Sequence, residues 1–388
     1  MTLIQESAGV AGVCARMRRE PFVTVDTEFM RDRTYWPQLC LVQLGGENEA
    51  VAIDPLAPGI DLSPLVDLLL DRQVIKVLHA CRQDMEIFYH LCGKDLPRPI
   101  FDTQVAAMVC GFGEEVGYET LVNKLAKAKL DKSSRFTDWS KRPLSARQIA
   151  YALGDVTHLR LIFEKLAKRI EREGRAGWVE EELDVYLDPG LYELAPADAW
   201  KRLKFRSREP RFIGLVQAIA EWRERRAQTK NIPRNRVLRD DLIMEIAANR
   251  PKSVEQLRDL PRISLDKESA ADIVAAVNSL MKAPEEDLPS LPPVETTPRG
   301  IGPLTDLLKV LLKLSAEESD VAQRLIATSS DLDALAQNDE ADIAALKGWR
   351  RRIFGERALA LKHGRLALAA DGNRIRILDL DSNPATKP

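Results

Sequence analysis

The stretch EPFVTVDTEFMRDRTYWPQLCLVQLGGENEAVAIDP, residues 20–55, decides the fold class. PFVTVDTEF is rich in β-branched and aromatic residues, the composition of a strand. LCLVQLG and EAVAIDP follow closely, separated by Gly45-Gly46-Glu47-Asn48, which predicts an antiparallel meander. Further along, LSPLVDLLL (62–70) carries apolar residues at helical spacing, and VIKVLHA (74–80) is a short apolar run suited to a buried strand. From Cys81 onward the period is helical, through CRQDMEIFYHL, DTQVAAMVCG, YETLVNKLAKAKL and SARQIAYALGDVTHLRLIFEKLAKRIERE. Meander strands, then strand–helix units, then helices describe a mixed α/β domain over residues 1–175.

The whole chain has 388 residues, room for two or three domains at roughly 100–200 residues each. Its net charge of −2 hides a local asymmetry. Residues 177–200 hold seven acids and no Lys or Arg, whereas residues 201–250 hold fourteen basic and six acidic residues. We read 176–207 as an acidic-to-basic connector, whose acids either pack against a basic module or keep the connector solvated. FIGLVQAIAEWRERRAQ, RDDLIMEIAAN, SVEQLRDL and ESAADIVAAVNSL then make 208–283 a basic helical module. Six prolines between 283 and 303 mark a semi-rigid linker, 284–303. Residues 304–370 return to helical periodicity with similar helix spacing, which suggests a diverged repeat of one module. DGNRIRILDLDSNPATKP has no helical pattern, and 371–388 is expected to be a flexible tail.

Cys14, Cys40, Cys81, Cys92 and Cys110 are odd in number and contain no C-x-x-C pair, so neither a zinc cluster nor a disulfide framework is expected. No apolar run approaches the roughly 18 residues of a membrane span, and no basic region precedes an apolar stretch at the start. A soluble cytoplasmic protein, without membrane association, is expected.

The informative residues are carboxylates. Asp26 and Glu28, two apart on a strand, share one face, and burying two unpaired acids there is costly unless a cation joins them. Asp84 falls in the first turn of the helix after VIKVLHA, where the helix terminus favours an acid in any protein. Tyr151 and Asp155, four apart on a long helix, stack a phenol and a carboxylate on one side. Taken singly, each fragment also fits solvated or structural acids.

Together they are far more specific. DTEF (26–29), HACRQDMEIF around Asp84, FDTQVAA (101–107) and LDKSSRFTDWSKRPLSARQIAYALGDVTHL (130–159) make residues 20 to about 170 resemble the ribonuclease D family, exonucleases with four acidic metal ligands and a catalytic tyrosine. The neighbouring histidine-using family has its His where this chain has Ala150, which favours the tyrosine branch. His158 stands where an aromatic is usual, a departure read as structural. The helical modules resemble the accessory domain shared by RecQ-type helicases and ribonuclease D, the first through FIGLVQAIAEWRERRAQTKNIPRNRVLRDDLIMEIA, the second through helix order alone.

The resemblance implies an RNase H-like mixed sheet with flanking helices, followed by two small all-α modules. It implies that Asp26, Glu28, Asp84 and Asp155 bind two divalent metal ions, Mg²⁺ or Mn²⁺, that Tyr151 orients the attacking water, and that nucleoside 5′-monophosphates leave one at a time from an RNA 3′ end. Precursors of transfer RNA and other small structured RNAs are the implied substrates. Phe29 is a candidate stacking wedge and His79 a candidate neighbour of the nucleotide, each with core packing as its alternative. Asp102 is expected to cap a helix. Lys132, Arg135 and Arg142 are candidate phosphate contacts. So are Arg223, Arg225, Arg226, Lys230, Arg234, Arg236 and Arg239 in the basic segment, with Arg350, Arg351 and Arg352 a smaller cluster; each is otherwise a solvated charge. Two appended modules suffice to cover an RNA, so a monomer without an obligate protein partner is expected. Two other readings stay open: the same chemistry on DNA, and a catalytically inactive nucleic-acid-binding adaptor.

Overall fold

The computed structural model describes residues 2–130, 134, 137–290 and 300–380. Its N-terminal domain is a six-stranded mixed sheet in the order β1-β4-β3-β2-β5-β6. The strands are β1 (Thr2–Ile4), β2 (Phe22–Met30), β3 (Gln38–Gly45), β4 (Ala50–Ile53), β5 (Ile75–Leu78) and β6 (Ile100–Asp102). β2, β3 and β4 form the antiparallel meander, while β5 runs parallel to both β2 and β6. β1 pairs parallel to β4 at the edge, an element the sequence reading left unassigned.

Helices α1 (Ser7–Met17), α2 (Ser63–Leu70) and α3 (Arg82–Leu91) cover one face of the sheet. Val23 and Val25 of β2 and Val42 and Leu44 of β3 are fully buried beneath them, each burial contributing about 1.5–3 kcal/mol. The other face lies under α6 (Ala146–Arg172), a 27-residue helix that follows the short α4 (Thr103–Val109) and α5 (Tyr118–Leu121). Ser145 opens α6 with a reciprocal cap: its Oγ accepts from the Gln148 amide at 3.2 Å, and Gln148 Oε1 accepts from the Ser145 amide at 3.0 Å. All five cysteines are free and buried.

The connector is more structured than its charge implied. α7 (Ala176–Leu183) buries Val179 and Leu183 against α4 and α6. Two of the connector's acids pack against the second helical module: Glu181 pairs with Arg350 at 2.9 Å, and Glu182 pairs with the same guanidinium, whereas Glu180, Asp184 and Asp188 are exposed. Beside them Trp178 stacks on Trp349, ring centroids 4.5 Å apart.

The first helical module comprises α8 (Pro210–Lys230), α9 (Arg234–Val237), α10 (Asp240–Asn249), α11 (Val254–Arg258) and α12 (Lys267–Lys282) around one apolar cluster. The second comprises α13 (Ile301–Ser319), α14 (Gln323–Ile326), α15 (Ser329–Gln337), α16 (Gly348–Arg350) and α17 (Glu356–Lys362). The repeat is visible at one corner. α8 ends on Asn231 at φ 48, ψ 48, and α13 on Asp320 at φ 48, ψ 54, both left-handed. From each of these residues to the next two helices the spacing is identical.

Both corners dock on the N-terminal domain. Asn231 Oδ1 accepts from the amides of Tyr35 (3.1 Å) and Trp36 (3.0 Å). Asp320 accepts from Arg169 at 2.6 Å, and the Ala322 amide donates to the Met108 carbonyl at 2.9 Å. Gly111, at φ +71, makes room: a Cβ there would lie 2.1 Å from Asp320 Oδ1. The flexible tail expected over 371–388 is corrected for residues 371–380, while 381–388 lie outside the described residues. β7 (Leu366–Asp371) and β8 (Arg374–Asp379) form an antiparallel hairpin, and the alternating apolar residues of RIRILD were its signal.

Candidate active site

Strand alternation puts Thr24, Asp26 and Glu28 on the face that α6 covers, and Val23, Val25 and Thr27 on the other. The helix comes very close. Thr24 Oγ1 donates to the Val156 carbonyl at 2.8 Å. Opposite Thr24 in the ladder stands Gly45, where a Cβ would lie 2.3 Å from Thr24 Oγ1 and 3.1 Å from the Val156 oxygen. That approach brings Asp155 to β2: one carboxylate oxygen each from Asp26, Glu28 and Asp155 lie within 4.8 Å of one another. Tyr151, one turn before Asp155, opens with it and Asp26 onto a cavity of about 420 Å³.

Asp84 arrives from the opposite face of the sheet, in the first turn of α3. Thr27 Oγ1 donates to its carboxylate at 2.5 Å, so β2 holds Asp84 with one side and presents Asp26 and Glu28 with the other. Asp102 fixes the turn that leads into α3. Its buried carboxylate accepts from the amides of Ala80 (3.2 Å), Cys81 (2.7 Å), Gln104 (2.7 Å) and Val105 (3.2 Å). It caps α4, as expected, and braces the β5–α3 junction as well.

These acids repel one another in a dry setting. Burial, then Asp155, Asp84 and Glu28, pushes Asp26 well above the usual carboxylate range. Burial and the charges of Asp155 and Asp84 raise Glu28 to about 9. Asp84 is raised to about 7, chiefly by burial. A cluster of hard oxygen donors held at raised pKa values is the kind of site a divalent cation neutralises.

Tyr118 and Gln43 belong to this site and were missed. Tyr118 OH donates to the Gly154 carbonyl at 3.2 Å, and burial together with Asp155 and Asp26 keeps the phenol protonated. YETL reads as any helix start, so nothing in the sequence singled it out. Gln43 stands opposite Asp26 in the β2–β3 ladder, fully buried, and neither its Oε1 nor its Nε2 has a partner among the described residues. Its signal was a polar residue within the apolar run LCLVQLG.

The comparisons agree with this geometry. Residues 1–171 match a 3′-5′ exonuclease family model, and residues 213–276 match the HRDC domain. The chain is 50% identical to ribonuclease D of Granulibacter bethesdensis over 381 residues, covering 97% of this chain and 96% of that protein. It is 51% identical to ribonuclease D of Gluconacetobacter diazotrophicus, covering 96% of each. The chain belongs to the ribonuclease D family. The crystal structure of Escherichia coli RNase D, an exoribonuclease involved in structured RNA processing, superposes with a TM-score of 0.80 at 30% identity, covering 94% of this chain and 98% of that one. This ribonuclease D family member is therefore a metal-dependent 3′→5′ exoribonuclease with RNA as its substrate, which sets aside the DNA and inactive-adaptor readings.

The expected RNA contacts fare unevenly in this family member. His79 lines the active-site cavity. Thr103 Oγ1 donates to the Leu78 carbonyl and so accepts from His79 Nδ1 at 3.0 Å, which assigns Nε2 as an acceptor; burial lowers the ring's pKa. Phe29 is half-buried, just beyond a register shift at Glu28/Phe29. Lys132 and Arg135 lie outside the described residues. Arg142 is corrected to a structural role. Its donors go to Asp54 (2.8 and 2.6 Å) and to the carbonyls of Cys40, Trp139 and Lys141, so none remains for phosphate.

In the basic segment the arginines serve packing more than expected. Arg223 is buried, donating to the Leu238 carbonyl and to Asp240. Arg234 is corrected too: Glu224 holds its Nε at 2.6 Å and Tyr35 OH accepts from Nη2 at 3.0 Å, which ties α9 to the exonuclease domain. Arg226 pairs with Asp266 and Glu268, Arg225 with Glu221, and Arg239 with Asp241. Lys230 and Arg236 are exposed, with no ion pair among the described residues. None of these residues lines the active-site cavity.

Proposed function

We propose that Asp26, Glu28, Asp84 and Asp155 together hold two divalent cations, Mg²⁺ or Mn²⁺, and that Tyr151 orients the attacking water. The observation that carries this is the meeting of three carboxylates within 4.8 Å, with Asp84 close enough to raise the pKa of two of them. Ions bound there would supply Lewis-acid stabilisation of the charge that builds on the scissile phosphate.

The residues do the rest. Tyr151 OH hydrogen-bonds the water and aims it without removing its proton, since a phenol is a poor base at neutral pH. The water oxygen bonds to phosphorus as the P–O3′ bond breaks, the 3′ oxygen takes up a proton, and a nucleoside 5′-monophosphate leaves. His79 lines the cavity with Nε2 left as an acceptor, which suits a 2′-hydroxyl donor on the terminal ribose.

On this reading the protein trims the 3′ ends of transfer RNA precursors and other small structured RNAs in the cytoplasm, acting as a monomer. In support, the E. coli relative is involved in structured RNA processing, and no helix among the described residues is long and apolar enough to cross a membrane. The test is degradation of a labelled structured RNA with a single-stranded 3′ tail, beside a matched DNA, in Mg²⁺, Mn²⁺ and EDTA. Stepwise release of 5′-monophosphates from RNA, abolished by EDTA and by Asp155→Asn, is expected. Turnover that survives EDTA would overturn the metal-site assignment.

A further inference from the structure

Along the β5–α3 junction, His79 and Ala80 line the active-site cavity, whereas Arg82, Gln83 and Glu86 line a different and larger hollow. This second hollow, about 710 Å³, opens where the exonuclease domain, the connector and the first helical module meet. Arg31 and Trp36 come from the segment after β2, Arg82 from α3, Arg202 from the connector, and Arg234 from α9. Four arginines and a single acid, Glu86, face it.

The arginines divide into two kinds. Arg31 is held in a fork by Glu86 (2.9 and 2.6 Å), and Arg234 by Glu224 and the Tyr35 ring, 4.8 Å from its guanidinium carbon. These two shape the walls. Arg82 and Arg202 are exposed and have no ion pair or hydrogen bond among the described residues. Their forks of N–H donors match phosphate oxygens. Between them Trp36 is half-buried and braced edge-on by Tyr35 (4.6 Å) and His90 (4.4 Å), so its ring is already fixed before anything stacks on it. Unpaired guanidinium groups beside a rigid aromatic ring are the chemistry of a single-stranded nucleic-acid groove.

We propose that this cleft is a second RNA-binding site, which takes the phosphodiester backbone of the single strand upstream of the 3′ end, with Arg82 and Arg202 on phosphates and a base against Trp36. The proposal rests on the exoribonuclease reading of the Asp26 site. The same two elements build both hollows: β2 carries Glu28 and leads to Arg31, and α3 carries both Arg82 and Asp84. A strand whose last nucleotide sits at the carboxylates would carry its preceding phosphates along these shared elements toward the cleft. The cleft therefore determines how long a single-stranded tail must be for efficient trimming.

The test is the double variant Arg82→Ala/Arg202→Ala, whose side chains are exposed. Two readouts are needed. The first is equilibrium binding of a tailed structured RNA in EDTA, which is independent of chemistry. The second is turnover in Mg²⁺ of that RNA and of a dinucleotide too short to span both hollows. Binding should weaken about tenfold, and the slope of log affinity against log salt should flatten by about 1.4, the value for two single-strand phosphate contacts. KM for the tailed RNA should rise by a similar factor, while kcat/KM for the dinucleotide stays unchanged and Arg82→Lys/Arg202→Lys restores most of the binding. Unchanged binding of the tailed RNA would overturn the proposal, and so would an equal loss on the dinucleotide. Failure of the wild type to turn over either substrate would instead count against the carboxylate site, leaving the binding result to judge the cleft.

Discussion

Gln43 faces Asp26 across the β2–β3 ladder, its amide fully buried and unpartnered among the described residues, beside a carboxylate held well above the usual range. An unsatisfied buried amide costs about 1–3 kcal/mol, and an apolar group of the same shape avoids that cost. Gln43→Met should therefore leave the metal-free protein as stable as the wild type, or raise its Tm by a few degrees. Calorimetry in EDTA checks this, and a clear fall in Tm would mean that the amide has a partner in solution.

Asp155→Asn removes one of three converging carboxylates and one source of the repulsion on Asp26 and Glu28. We expect activity to fall at least about 10³-fold, equivalent to about 4 kcal/mol, while the metal-free Tm rises. Tyr151→Phe keeps the ring and loses the hydroxyl; kcat should drop about 10²-fold with KM for RNA little changed. Steady-state kinetics and melting curves on the same preparations separate the two effects.

The raised carboxylates give the metal-free fold a defined pH dependence. Glu28 moves from 4.5 to about 9 and Asp84 from 3.8 to about 7, so the folded chain retains protons that the unfolded chain has released. The stability this supplies is complete below about pH 4 and is lost as pH rises through about 7 and then about 9. A bound cation favours the charged acids and reverses the sign, so the Tm gained on adding Mg²⁺ should grow with pH. Melts at about pH 5, 7 and 9, with EDTA and with Mg²⁺, check both slopes. A metal-free Tm that rises across this range would contradict the site's electrostatics.

Glu224 is fully buried and depends on Arg234 and Tyr35 for its charge. Arg234→Ala strands that carboxylate; because Arg234 is itself 34% exposed, we expect a loss of about 3 kcal/mol, the low end for breaking a buried pair. Protease susceptibility in the first helical module should rise first. Adding Glu224→Gln to Arg234→Ala should recover part of the loss, since the stranded charge is gone.

Much of this was legible in the sequence because local pattern and chemistry coincided. The β2–β4 meander showed in strand composition and turn residues, α6 in its long helical period, and the carboxylate set in three motifs. What stayed hidden depends on contacts distant in the chain. The phosphate role expected of Arg142 fails because Asp54, just past β4, and the Cys40 carbonyl, on β3, take its donors. Arg234 looked like one more surface cation until Glu224 and Tyr35 closed around it. Trp36 and Arg202 share a cleft that no linear spacing announces. A basic count over a segment registers charge, but not which charges are already satisfied.

The left-handed corners at Asn231 and Asp320 have a further consequence. Both helical modules present the same backbone elbow to the exonuclease domain, yet each elbow carries a different key. At Asn231 an amide oxygen accepts two main-chain amides, and at Asp320 a carboxylate accepts an arginine. Two plugs of one shape are thereby assigned to separate sockets. A carboxylate carried to Tyr35 and Trp36 would lack its guanidinium, and a neutral amide carried to Arg169 would leave that cation without its countercharge. A duplicated module can thus keep its architecture while its address on the host domain is rewritten by a single side chain.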